Sequence, residues 1–151
     1  MRALLIALLF FSKTAVAVEP SGLWFKCLPE WHARDAAILM EITRDGSNYK
    51  WLQEWGVPYT ASGTASIVGN QLVLRGCKAY RGKVDDSCDE ANAPIYQKLK
   101  ISQLFKQHRS VARALRQSDW IRTNDDSWKR LSVRCGELNN KVLQEQEARG
   151  K

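Results

Sequence analysis

The four cysteines of this 151-residue chain, Cys27, Cys77, Cys88 and Cys135, constrain its fold more than any other feature because of what precedes them. Arg2, the apolar run from Ala3 to Phe11 and the small-x-small stretch Ala15-Val16-Ala17 make the three-part pattern of a secretory signal peptide. Nine apolar residues are too few for a membrane-spanning helix, which needs roughly 20. Residues 1–17 are therefore expected to be removed, and residues 18–151 to work in an oxidising compartment, periplasmic or secreted, with no transmembrane segment. An even number of thiols there reads as structural disulfides. Three pairings are possible. Cys77–Cys88, which closes a short loop, and Cys27–Cys135, which ties the first strand to the last helix, are favoured. The chain has no C-x-x-C, and Cys27 with His32 lacks the second close pair of a zinc set, so no metal and no cofactor are expected.

The mature part reads as one α+β domain whose hydrophobic period changes once. From about 21 to 101 short apolar runs alternate with turn signals. Asp45-Gly46 separates residues 36–43 from 48–54, and Gly69-Asn70 separates 59–67 from 71–77, two hairpin signatures. Five to six strands are expected, as an antiparallel meander or small curved barrel. From about 102 to 147 the period becomes helical. Leu104, Phe105, His108, Val111, Ala112 and Leu115 share a face of one amphipathic helix, and Trp128, Leu131, Cys135, Leu138 and Val142 share a face of a second, capped near Asp125-Asp126. Charge divides at the same place. Residues 18–95 carry 8 basic against 10 acidic residues, and residues 96–151 carry 13 against 6.

Gly22-Leu23-Trp24 is similar to the G-x-W that opens lipocalin-type barrels, in which the tryptophan plugs one end. The resemblance covers three residues and implies a closed or nearly closed barrel. The two C-terminal helices depart from that family, and no hydrophobic-ligand pocket is carried over.

Three surfaces are candidates for function. If Cys77 and Cys88 pair, residues 78–89 become a clasped loop presenting Tyr80, Arg81 and Lys83, and such loops bind with little ordering cost. Lys106, Arg109, Arg113 and Arg116 recur at spacings of 3, 4 and 3, a cationic stripe suited to an anionic lipid or glycan of a cell envelope. Trp24, Trp31, Trp51, Trp55 and Tyr49 are either core or a stacking platform. Catalytic motifs are lacking: G-x-S-x-G, H-E-x-x-H, Walker and G-x-G-x-x-G patterns are absent, and His108 falls on an apolar helix face. The expectation is a binding protein rather than an enzyme, most simply an inhibitor or immunity-type module whose partner is another protein. An envelope-surface module and a small hydrolase using His32 with Glu30 or Asp35 are the alternatives; a nucleic-acid partner is not expected.

Overall fold

A computed structural model describes residues 18–29, 37–55 and 59–150. Residues 1–17, expected from the sequence to be a leader, and residues 30–36, which include Glu30, Trp31, His32 and Asp35, lie outside the described residues. The sheet is antiparallel and contains β1 (Gly22–Cys27), β2 (Ala37–Asp45), β3 (Asn48–Trp55), β4 (Tyr59–Val68), β5 (Gln71–Tyr80), β6 (Lys83–Val84), β7 (Ile95–Lys100) and β8 (Ile121–Thr123). Five strands follow one another as a meander, and the spatial order is β6-β5-β4-β3-β2-β1-β8. β7 shares an edge of β5 with β6, pairing along Gln71–Arg75 while β6 pairs with Ala79 and Tyr80. The helices are α1 (Ile101–Leu104), α2 (Val111–Arg116) and α3 (Ser127–Arg149).

Turn chemistry sets the registers. Gly46 and Gly69 take φ of 62° and 60°, the left-handed backbone that a two-residue hairpin requires. The Asp45–Asn48 and Val68–Gln71 pairs that flank them fix every other pair along β2–β3 and β4–β5.

Strand alternation then builds two cores, one on each face of the sheet. Trp24, Met40, Ile42, Trp51, Leu72 and Leu74 pack on the concave face with Leu99, Leu104 and Trp120. Phe25 and Cys27, on the opposite side of β1, pack on the convex face with Ala114, Leu115, Ile121, Leu131 and Cys135. β1 is thus buried on both faces. The Cys27–Cys135 disulfide joins it to α3 inside the second core, and Cys77 and Cys88 form the other disulfide. Trp24 donates its indole N–H to the Pro20 carbonyl (2.9 Å) and is covered by the Arg122 guanidinium at 5.5 Å.

Several expectations from the sequence need correction. Among the described residues there are eight strands rather than five or six, and three α-helices rather than two. The meander is open, because no pairing joins β7 to β8 among the described residues. The helix expected over 102–116 is broken. Leu104 and Phe105 belong to the concave core while Val111, Ala114 and Leu115 belong to the convex one, and a single straight helix cannot serve both faces of a sheet. Residues 105–110 make the crossing, and Ser110 restarts the helix as N-cap, its hydroxyl accepting from the Arg113 N–H at 3.4 Å. β8 follows these helices; Trp120, just before it, enters one core and Ile121, its first residue, enters the other. At α3 the capping oxygen comes from Asn124, which accepts from Ser127 N at 2.9 Å and Asp126 N at 3.2 Å; the Asp126 side chain caps nothing.

Candidate functional site

The registers lay three rows of side chains across the concave face. The innermost is Ile42, Trp51, Gly63, Gly76; the next is Met40, Gln53, Ala61, Lys78; the outermost, at the rim, is Trp55, Tyr59, Tyr80, Lys83.

The inner row makes a rigid floor. A Cβ on Gly63 would lie 2.0 Å from the Arg75 carbonyl oxygen, and one on Gly76 would lie 2.1 Å from that of Ser62 and 2.6 Å from Trp51. Two glycines opposite each other are therefore needed for the Trp51 indole to lie flat across β4 and β5. Its N–H is shared between the Thr64 and Arg75 carbonyls, both at 3.0 Å. Tyr96 of β7 stacks on Trp51 with centroids 4.9 Å apart and reaches Trp55 at 6.4 Å.

The middle row supplies polar groups. Gln53 is 2% exposed, and its Nε2 donates to Gln97 Oε1 at 3.3 Å and to Met40 Sδ at 3.4 Å. The Lys78 ammonium stands 6.0 Å from the Tyr96 ring centroid. Gln53, Lys78, Asp85, Ser87, Tyr96 and Gln97 line a cleft of about 680 Å³. Burial pushes the Tyr96 phenol above its ordinary pKa. Asp85 accepts from the Ser87 hydroxyl (2.7 Å) and backbone N–H (3.0 Å), and these bonds hold its carboxyl below the usual range. Lys26, opposite Ile38 in the register, is half-buried against Trp120 at 5.5 Å. That burial lowers its pKa, with Asp119 partly opposing.

The rim is exposed. Tyr59 is 44% and Tyr80 48% accessible, with ring centroids 5.1 Å apart, and the Arg81 guanidinium lies 5.5 Å from the Tyr80 ring centroid. Arg81 and Gly82 form a two-residue turn with φ of 50° and 75°. Asparagine, aspartate or glycine suits the first of those positions; a long side chain there costs of order 1 kcal/mol or more. The Cys77–Cys88 disulfide anchors the far end of the loop to β5. Among the described residues, Arg81 and Lys83 make no ion pair.

Of the residues singled out in the sequence, Tyr80, Arg81 and Lys83 come together at this rim. The cationic stripe does not form on one helix. Lys106 lies in the crossing segment, paired with Asp119 at 2.9 Å, Arg109 lies beside it, and Arg113 and Arg116 are on the short α2. Trp24, Tyr49 and Trp51 are buried in the concave core, and Trp55 is half-buried at its edge. His108 donates from Nε2 to the Trp120 carbonyl at 3.0 Å, a structural role. Tyr59 was not singled out, although counting back from the Val68–Gln71 pair places it opposite Tyr80. Comparison with family models, curated proteins and solved structures returns no match for this chain.

Proposed function

We propose that this is an exported binding protein, periplasmic or secreted, that engages another protein with the β5–β6 hairpin and the rim beside it, as an inhibitor or immunity-type module does. The observation that carries this reading is the exposed Tyr59–Tyr80 pair beneath Arg81, mounted on a hairpin clasped by a disulfide. Tyrosine and arginine are the residue types that dominate interface energetics. The two-residue turn and the Cys77–Cys88 bond lower the entropy lost when the hairpin docks. Unpaired Arg81 and Lys83 favour acidic groups on the partner, around an apolar pocket that receives the Tyr80 ring. Both disulfides, and the absence of any membrane-crossing helix among the described residues, are compatible with the export reading.

The test is capture from the extracellular or periplasmic fraction of the source organism, with the oxidised protein and its Tyr80→Ala/Arg81→Ala variant as parallel baits. A protein retained by the first and lost from the second supports the reading. A partner retained equally by both, with the variant folded, refutes it.

A further inference from the structure

The sheet splits along one edge of β5. β7 covers Gln71–Arg75 and β6 covers Ala79 and Tyr80, so the stretch between them faces residues 85–94 instead of a strand. There the Gly76 N–H donates to the Pro94 carbonyl at 3.2 Å, and the Lys78 carbonyl accepts from the Asp85 N–H at 3.3 Å. The cleft of about 680 Å³ opens at this split, a size in the range of small-molecule sites. Its hydrogen-bonding groups are only partly used. Gln53 is 2% exposed yet lines the cleft, and its Nε2 is spent on Gln97 Oε1 and Met40 Sδ. That leaves Gln53 Oε1 as an acceptor and Gln97 Nε2 as a donor, neither with a partner among the described residues. The Lys78 ammonium pairs with no carboxylate among the described residues. Asp85, the one carboxylate in the lining, accepts twice from Ser87. The lining thus carries one positive and one negative charge and has no net charge with which to select an ion.

We propose that this cleft holds a neutral sugar unit. A hydroxyl both donates and accepts, so neighbouring hydroxyls match an unspent acceptor and an unspent donor on two bonded amides, with the Lys78 ammonium as a further donor. The C–H groups of a sugar ring find apolar contact on Ile38, Pro94 and Tyr96, whose ring rests on Trp51. Other ligand classes fit less well. An anion attracted by Lys78 also meets Asp85, and a wholly apolar ligand leaves the buried Gln53 amide with its carbonyl unpaired, which costs binding. The cleft lies beside the hairpin rim but its lining includes none of Tyr80, Arg81 and Lys83, so this proposal stands apart from the protein-partner reading.

The test is titration of the oxidised protein with glucose, galactose, mannose, N-acetylglucosamine, maltose and cellobiose, and with glucuronate and glucosamine as charged counterparts. Calorimetry reads the binding, and the fluorescence of Trp51 and Trp55, both next to Tyr96, reports it independently. Gln97→Met and Lys78→Met remove one donor each, and Gln53 is left intact because it belongs to the buried interior. Saturable binding of at least one neutral sugar, weakened about 5-fold in each of these variants and unchanged in Tyr80→Ala/Arg81→Ala, supports the proposal. No saturation with any sugar of the panel, tighter binding of glucuronate or glucosamine than of every neutral sugar, or wild-type affinity in both Gln97→Met and Lys78→Met would overturn it. Thermal melts of each variant separate loss of binding from loss of fold.

Discussion

Removing the two disulfides one at a time should cost the fold unequal amounts. Cys27 and Cys135 are 108 residues apart in the chain, Cys77 and Cys88 only 11. In the chain-entropy account a cross-link stabilises by restricting the unfolded state, about 4.8 kcal/mol for the longer loop and about 2.8 for the shorter. Packing acts in the same direction. Cys27 and Cys135 are fully buried in the convex core beside Phe25 and Leu131, so alanine there leaves a void, whereas Cys88 is half-exposed. Cys27→Ala/Cys135→Ala should therefore lose about 2 kcal/mol more than Cys77→Ala/Cys88→Ala, or roughly 1 M in urea midpoint for a domain of this size. Urea unfolding followed by tryptophan fluorescence measures both. Equal midpoints, or a greater loss from the shorter loop, would refute the reasoning by showing that the bond between β1 and α3 does not hold the convex core together.

Other outcomes follow from single side chains. Gly76→Ala should destabilise by about 3 kcal/mol or displace the Trp51 indole, because the added methyl meets the Ser62 carbonyl and Trp51; urea midpoint and tryptophan emission read the two effects. Asn139 is fully buried on α3 with no hydrogen-bond partner for Nδ2 or Oδ1 among the described residues, so Asn139→Leu should gain about 1–2 kcal/mol in the same assay. Tyr96 keeps its proton in the folded state at pH values where the unfolded phenol, ionising near 10, has lost it. Stability should fall as pH rises past about 10, and in Tyr96→Phe the fall should be shallower by the share that this phenol contributes.

The meander was legible because its signals are local. Asp45-Gly46 and Gly69-Asn70 fix two turns, and the period of two along residues 48–54 fixes which face each residue of β3 takes. What was not legible depended on which face of the sheet a segment meets. Leu104 and Leu115 satisfy one helical period, yet they lie in different cores, and no periodicity encodes the crossing between them. β8 is only three residues long and has no alternation of its own; its place comes from pairing with Leu23–Phe25 of β1. The rim was legible in part. The loop cysteines drew attention to Tyr80, Arg81 and Lys83, but the partnership of Tyr80 with Tyr59 emerges only once the β4–β5 register is followed to its end.

The central claim, that the hairpin rim is the recognition surface, is tested most directly by the dissociation constant of the captured partner for wild type, Tyr80→Ala, Arg81→Ala and Lys83→Ala. Tyr80→Ala and Arg81→Ala should each weaken binding by about 2 kcal/mol, near 30-fold, with Lys83→Ala smaller and all four proteins melting alike. Unchanged affinity in both Tyr80→Ala and Arg81→Ala would contradict the claim.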